Sequence, residues 1–135
     1  MLAIFAIFLS LNAPNLPVLP PLLPPVQEIA PIVATSTVLA KIDAVSAKYG
    51  VSRDMVYKIV VCETAGTFDP TIQSQIIKNG IQEDSWGLAQ IHLPDHPDIS
   101  KQQAIDPDFA LDYLASKLSE HKGFLWSCYK QMYTK

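Results

Sequence analysis

The rhythm of apolar positions changes along the chain. Met1–Leu11 (MLAIFAIFLSL) is apolar almost throughout. A membrane-crossing helix needs about 20 such residues, and Pro14, Pro17, Pro20 and Pro21 end this run early. Its length suits the apolar region of a signal peptide, about 7–15 residues. No Lys or Arg precedes it, and Leu11-Asn12-Ala13 before Pro14 is a poor cleavage site. Residues 1–13 therefore read as an export signal or a membrane anchor, with cleavage left open. Residues 14–35 read as a Pro-rich linker, because each Pro fixes φ and disfavours helix just before it. Such a stretch is either a stiff spacer or a disordered tether.

Helical spacing begins after the linker. Val38, Ile42, Val45 and Tyr49 make one stripe at i, i+4, i+7 and i+11, which predicts a helix over 36–49 capped by Ser36 or Thr37 and stopped by Gly50. Ser52 caps a second helix, with Val51 placed to staple onto Val56. Val56, Ile59 and Val60 form its inner face, and the next position on that face is Glu63. A carboxylate that continues an apolar stripe is unusual, since burying its charge is costly. Either the helix frays by 63 and Glu63 bonds locally, or the group is held partly dry. In the second case desolvation raises its pKa, as a general acid near neutral pH requires.

Gly66, Pro70 and Gly80 break the pattern from Thr64 to Asp84, with a short strand expected over 71–77. Ser100 and Gln103 form a capping box for a short helix. Asp106-Pro107 opens a longer one, running to about Glu120 with Leu111, Leu114 and Leu118 inward and Gly123 as its stop. The fold class is mainly α (α+β), one helical domain over 36–135 with a small loop or hairpin insert.

Charge sharpens this division. Glu28 is the only charged side chain among residues 1–40, and seven of the 11 prolines lie between Pro14 and Pro31. The 49% hydrophobic content excludes a disordered chain. A formal net charge of −3 with scattered basic residues argues against nucleic acid as a partner.

Four short segments in order carry a resemblance. Cys62-Glu63-Thr64, Phe68-Asp69-Pro70, Ser85-Trp86-Gly87-Leu88-Ala89-Gln90-Ile91 and Asp106-Pro107 resemble the lysozyme-like lytic transglycosylase domain. That family has Glu-Ser at a helix end, then Phe-Asn-Pro, Gly-Leu-Met-Gln-Ile, and an Asp-Pro opening a later helix. The Cys before Glu63 and the late Trp126-x-Cys128 also resemble small secreted lysozyme-like proteins of the resuscitation-promoting type. The resemblance spans residues 36–130. It implies a lysozyme-like fold and cleavage of the β-1,4 bond between N-acetylmuramic acid and N-acetylglucosamine in peptidoglycan, without cofactor or metal.

In that reading Glu63 protonates the leaving oxygen and then acts as base while the muramyl 6-hydroxyl closes a 1,6-anhydro ring. The alternatives are a goose-type inverting lysozyme and an inactive glycan-binding module. The chain departs from the family at Thr64, at Ala89, in a loop two residues longer after Glu63, and in lacking an Ala-Tyr-Asn-Ala-Gly segment. Tyr113 and Tyr129 stand as substitutes for the missing tyrosine.

The remaining candidates follow from side-chain chemistry. The resemblance implies that the Ser85–Ile91 segment lines the cleft, which brings in Gln90 and Ser85, with Gln90 either bonding a sugar acetamido group or closing a turn. Trp86 either stacks on a sugar or packs in the core, and Trp126 is expected in the core. A hydrolase pairs two carboxylates across the scissile bond. Asp69 is expected to bond within its own turn, and Glu83 and Asp84 either enter the cleft or form a solvated acidic loop, the second reading being preferred, which favours the transglycosylase route. Cys62 and Cys128 are either a disulfide tying the Glu63 helix to the tail or two buried thiols. His92 and His96 are four apart, but Pro94 and Pro97 exclude a helix between them, so no metal is expected. The whole reads as an exported monomer whose partner is peptidoglycan.

Overall fold

A computed structural model describes residues 30–134, with side chains from Thr35 onward. The expected export signal or anchor and the linker up to residue 29 lie outside the described residues. Helix α1 spans Ala30–Tyr49 and α2 Arg53–Glu63. Two antiparallel hairpins follow, β1 (Ile77–Lys78) with β2 (Ile81–Gln82) and β3 (Ser85–Trp86) with β4 (Ile91–His92). Helices α3 (Lys101–Ala104), α4 (Pro107–Ser119) and α5 (Ser127–Tyr133) complete the order. The fold is mainly helical with small hairpins, as the sequence predicts.

The start of α1 differs from expectation. It begins at Ala30, six residues before Ser36, so residues 30–35 are helical rather than extended. Pro31 stands in the first turn, where a missing N–H removes no intrahelical bond. Val38, Ile42 and Val45 are buried as the stripe requires, and α1 packs against α4 and α2. Val56, Ile59 and Val60 of α2 and Leu111, Leu114 and Leu118 of α4 close the same core.

The caps of α2, α3 and α4 are those read from sequence, whereas Ser36 and Thr37, expected to cap the first helix, lie within α1. Ser52 Oγ accepts from the Met55 N–H at 3.3 Å. Ser100 and Gln103 exchange both bonds of a capping box. Asp106 Oδ1 accepts from the N–H groups of Asp108 and Phe109 ahead of Pro107. The stop of α4 is not Gly123. His121 takes the left-handed position at φ +60°, and the Lys122 N–H returns to the Lys117 carbonyl at 2.9 Å. Gly123 instead leaves room for the Tyr129 ring, 2.4 Å from where a Cβ would sit.

The strand expected over 71–77 does not form, apart from one bridge between Gln73 and Trp86. Asn79 and Gly80 both take positive φ, at +54° and +77°. That is the two-residue turn that matches strand twist, so pairing starts at Ile77 instead. The second hairpin is wedged into the helices. A Cβ on Gly87 would lie 1.9 Å from the Ala104 carbonyl oxygen, and its φ is +77°. Gly87→Ala is therefore expected to destabilise the protein by about 3 kcal/mol, through overpacking and left-handed strain together. An unchanged urea midpoint would refute this close approach.

Candidate active site

Glu63 is the last residue of α2, and the helix does not fray before it. Thr64 explains the sharp stop. Its buried hydroxyl donates to the Val60 carbonyl at 2.8 Å and accepts from the Phe68 N–H at 3.3 Å. The chain then turns through Ala65 at φ +49° and Gly66, whose N–H reaches the Val61 carbonyl at 2.7 Å. A hydroxyl after the glutamate thus ties helix end to loop, and Thr serves that purpose as Ser would.

The other side of Glu63 is covered by α5. Cys62 and Cys128 form a disulfide, so the two cysteines are bridged rather than free. The bridge sets the first turn of α5 against the end of α2. There the Cys128 N–H donates to Glu63 Oε1 at 3.3 Å. Burial pushes the Glu63 carboxyl above its ordinary range. That N–H opposes the rise, and the nearby Glu83 charge adds to it.

Glu63 opens onto a groove of about 620 Å³. Glu83, Ser85, Gln90, His92 and Lys130 also line it. Of the two readings of the acidic loop, Glu83 follows the one that enters the groove. The Asn79-Gly80 turn folds β2 back on β1, and the chain after it runs along the 72–76 segment, which carries Glu83 into the groove beside Lys78. Lys78 Nζ donates to Glu83 Oε1 and Ser74 Oγ to Oε2, each at 2.9 Å. The bond from Lys78 holds the Glu83 carboxyl below its usual range, against its partial burial and with help from Ser74 and the charge of His92. Asp84 stays exposed and accepts from the Trp86 indole N–H at 2.6 Å. Asp69 bonds within its own turn as expected, Oδ1 accepting from the Thr71 N–H and hydroxyl.

No protein family, curated protein or solved structure is matched by this chain.

The other sequence candidates divide. Ser85 is buried on the groove wall, its Oγ 3.1 Å from Nδ1 of His92, its partner across the hairpin. Gln90 also lines the groove, but its amide nitrogen donates to the carbonyls of Ile72 and Gly87 at 3.2 and 3.0 Å. It closes the turn and can offer a ligand only its acceptor oxygen. Trp86 is not in the groove. Successive strand residues point to opposite faces, so with Ser85 inward Trp86 turns out, and Lys101 Nζ sits 3.4 Å above its ring. Tyr113 is also outside the groove, its hydroxyl 3.2 Å from His96 Nε2 and its ring edge-on to Trp126. Trp126 is core, as expected, and its indole N–H donates to the Ala89 carbonyl at 2.7 Å. His92 and His96 face different partners.

Ser74, Lys78 and Lys130 line the groove although no motif in the sequence marks them. The Asn79-Gly80 pair was the available signal, since a hairpin there brings Glu83 back to Lys78. The site sets a carboxyl whose pKa burial raises in the same groove as one whose pKa the Lys78 bond lowers. Environments that push two carboxyl groups apart in this way suit acid and base roles.

Proposed function

We propose that this chain cleaves the β-1,4 bond between N-acetylmuramic acid and N-acetylglucosamine in peptidoglycan, with Glu63 as general acid. The observation that carries the reading is Glu63 itself, half-buried at the end of α2 on a groove wall, with its carboxyl pushed up by desolvation. The ordered resemblance of the four segments to the lysozyme-like transglycosylase domain supports the substrate. Glu63 hands its proton to the glycosidic oxygen as the bond to the anomeric carbon breaks, and positive charge builds on the sugar ring.

Two routes part at the next step. In the transglycosylase route, ionised Glu63 takes the proton of the muramyl 6-hydroxyl and the 1,6-anhydro ring closes. Neither Tyr113 nor Tyr129, the substitutes for the family's supporting tyrosine, lines the groove. In the hydrolytic route a water attacks instead, and the ionised Glu83 in the same groove favours it.

The proposed setting is outside the cytoplasm, with residues 1–13 as export signal or anchor and the glycan strand as partner of a monomer. Among the described residues no helix is long and apolar enough to cross a membrane. Digestion of purified peptidoglycan tests the function. Soluble muropeptides cut at the muramic acid–glucosamine bond are expected by mass spectrometry. No release at micromolar protein would overturn the enzyme reading, and co-sedimentation with the same peptidoglycan would then identify a binding module.

A further inference from the structure

We propose that Glu83 is a second catalytic carboxylate, which takes the proton of a water attacking the anomeric carbon, so that the chain hydrolyses its glycan instead of closing an anhydro ring. The inference rests on the reading of Glu63 as the acid. It departs from the single-glutamate chemistry that the sequence resemblance implies.

Glu83 and Glu63 reach one groove from different elements, the β2–β3 connection and the end of α2. Glu83 is fixed there by both main chain and side chain. Its N–H donates to the Ile76 carbonyl at 2.8 Å, and its own carbonyl accepts from Gln73 Nε2 at 3.3 Å. Lys78 and Ser74 each hold one carboxylate oxygen. An ionised carboxylate has about four lone-pair sites. These two bonds leave a further site on each oxygen, room for a water. Asp95 also lines the groove, but it is exposed and offers no comparable anchoring. A base must be held in place before its basicity matters, and Glu83 meets that condition.

The step balances without a further reagent. The bond from the anomeric carbon to the glycosidic oxygen breaks, and that oxygen takes the Glu63 proton and leaves as a glucosamine 4-hydroxyl. The water oxygen bonds the anomeric carbon and its proton passes to Glu83. Solvent returns the pair to its starting protonation, and one water is consumed per cut.

The test is product analysis on purified peptidoglycan with the full chain. Wild type is expected to give reducing-end muropeptides, each one water heavier than the anhydro form. Glu83→Gln, which keeps the size, an acceptor oxygen for Lys78 and an NH2 that can donate to Ser74 Oγ, is expected to slow release by about 10²–10⁴-fold. Added sodium azide should restore its turnover as glycosyl azide, because an anionic nucleophile needs no base. Lys78→Met, which opens the clasp but keeps Glu83, is expected to lose far less than Glu83→Gln. Anhydro products from wild type would overturn this proposal alone, as would full activity of Glu83→Gln. A Glu83→Gln loss without azide rescue, equalled by Lys78→Met, would make Glu83 a hairpin clasp only and overturn it too. Absence of any cleavage by wild type would overturn both this and the Glu63 reading.

Discussion

Glu63→Gln is expected to slow peptidoglycan cleavage by about 10³-fold while keeping the protein folded. The amide has the shape of the carboxyl and can still accept from the Cys128 N–H. It has no proton of suitable acidity to give the leaving oxygen. Stability gives an independent check. The folded-state pKa of Glu63 is raised, so the folded protein favours the neutral carboxyl. Below the unfolded pKa, about 4.3 for Glu, both states are neutral and Glu63 carries no penalty. As pH rises past that value and through the folded pKa, ionising the half-buried group removes stability. Glutamine escapes this loss. Thermal melts should therefore show Glu63→Gln above wild type at neutral pH, with the gap closing in acid. Equal melting temperatures at every pH would mean that Glu63 is well solvated. Cleavage by wild type should likewise fall as pH rises through the same transition. Glu83, whose carboxyl lies below its usual range, shares the groove and shapes the acid side of that profile.

Removing the Cys62–Cys128 bridge is expected to cost about 4 kcal/mol, the loop-closure value for a separation of 66 residues. Its effect on activity should be larger than stability alone explains. Helix α5 has seven residues and packs on α2 and the 123–125 turn, so the bridge is its strongest tie to Glu63. Without it the Cys128 N–H no longer holds the carboxyl, and water reaches the acid from that side. Cys62→Ala/Cys128→Ala should therefore lose about tenfold or more in cleavage rate at temperatures where it remains folded, since misplaced groups of this kind lose rate steeply. Activity and circular dichroism measured on the same sample separate the two effects. A double variant with wild-type melting and wild-type cleavage would sink both expectations.

What could be read from sequence follows a physical divide. Helix α4 was legible because burial repeats every three to four residues and Asp106-Pro107 marks its start. Glu63 was legible for the same reason, as a charge on a stripe that should be apolar. The Gly123 stop was misread because His121 bears the left-handed φ itself. The insert was harder, because two-residue strands carry no periodic signal. Whether Ser85 or Trp86 faces the groove depends on a pairing register fixed elsewhere. Glu83 depended on one turn. Once Asn79-Gly80 reverses the chain, an acidic residue that looks solvated on paper lands against Lys78 and Ser74. Tyr113 sits on the helix face toward His96 and Trp126, a packing choice that its local sequence does not encode.

The amide that touches the acid belongs to residue 128, far along the chain from the helix it completes. A nascent polypeptide emerging from the ribosome carries Glu63 long before that wall exists. The groove is finished only when α5 has docked and two sulfurs have been oxidised. In a reducing compartment this tie between α5 and α2 is missing, and oxidation supplies it.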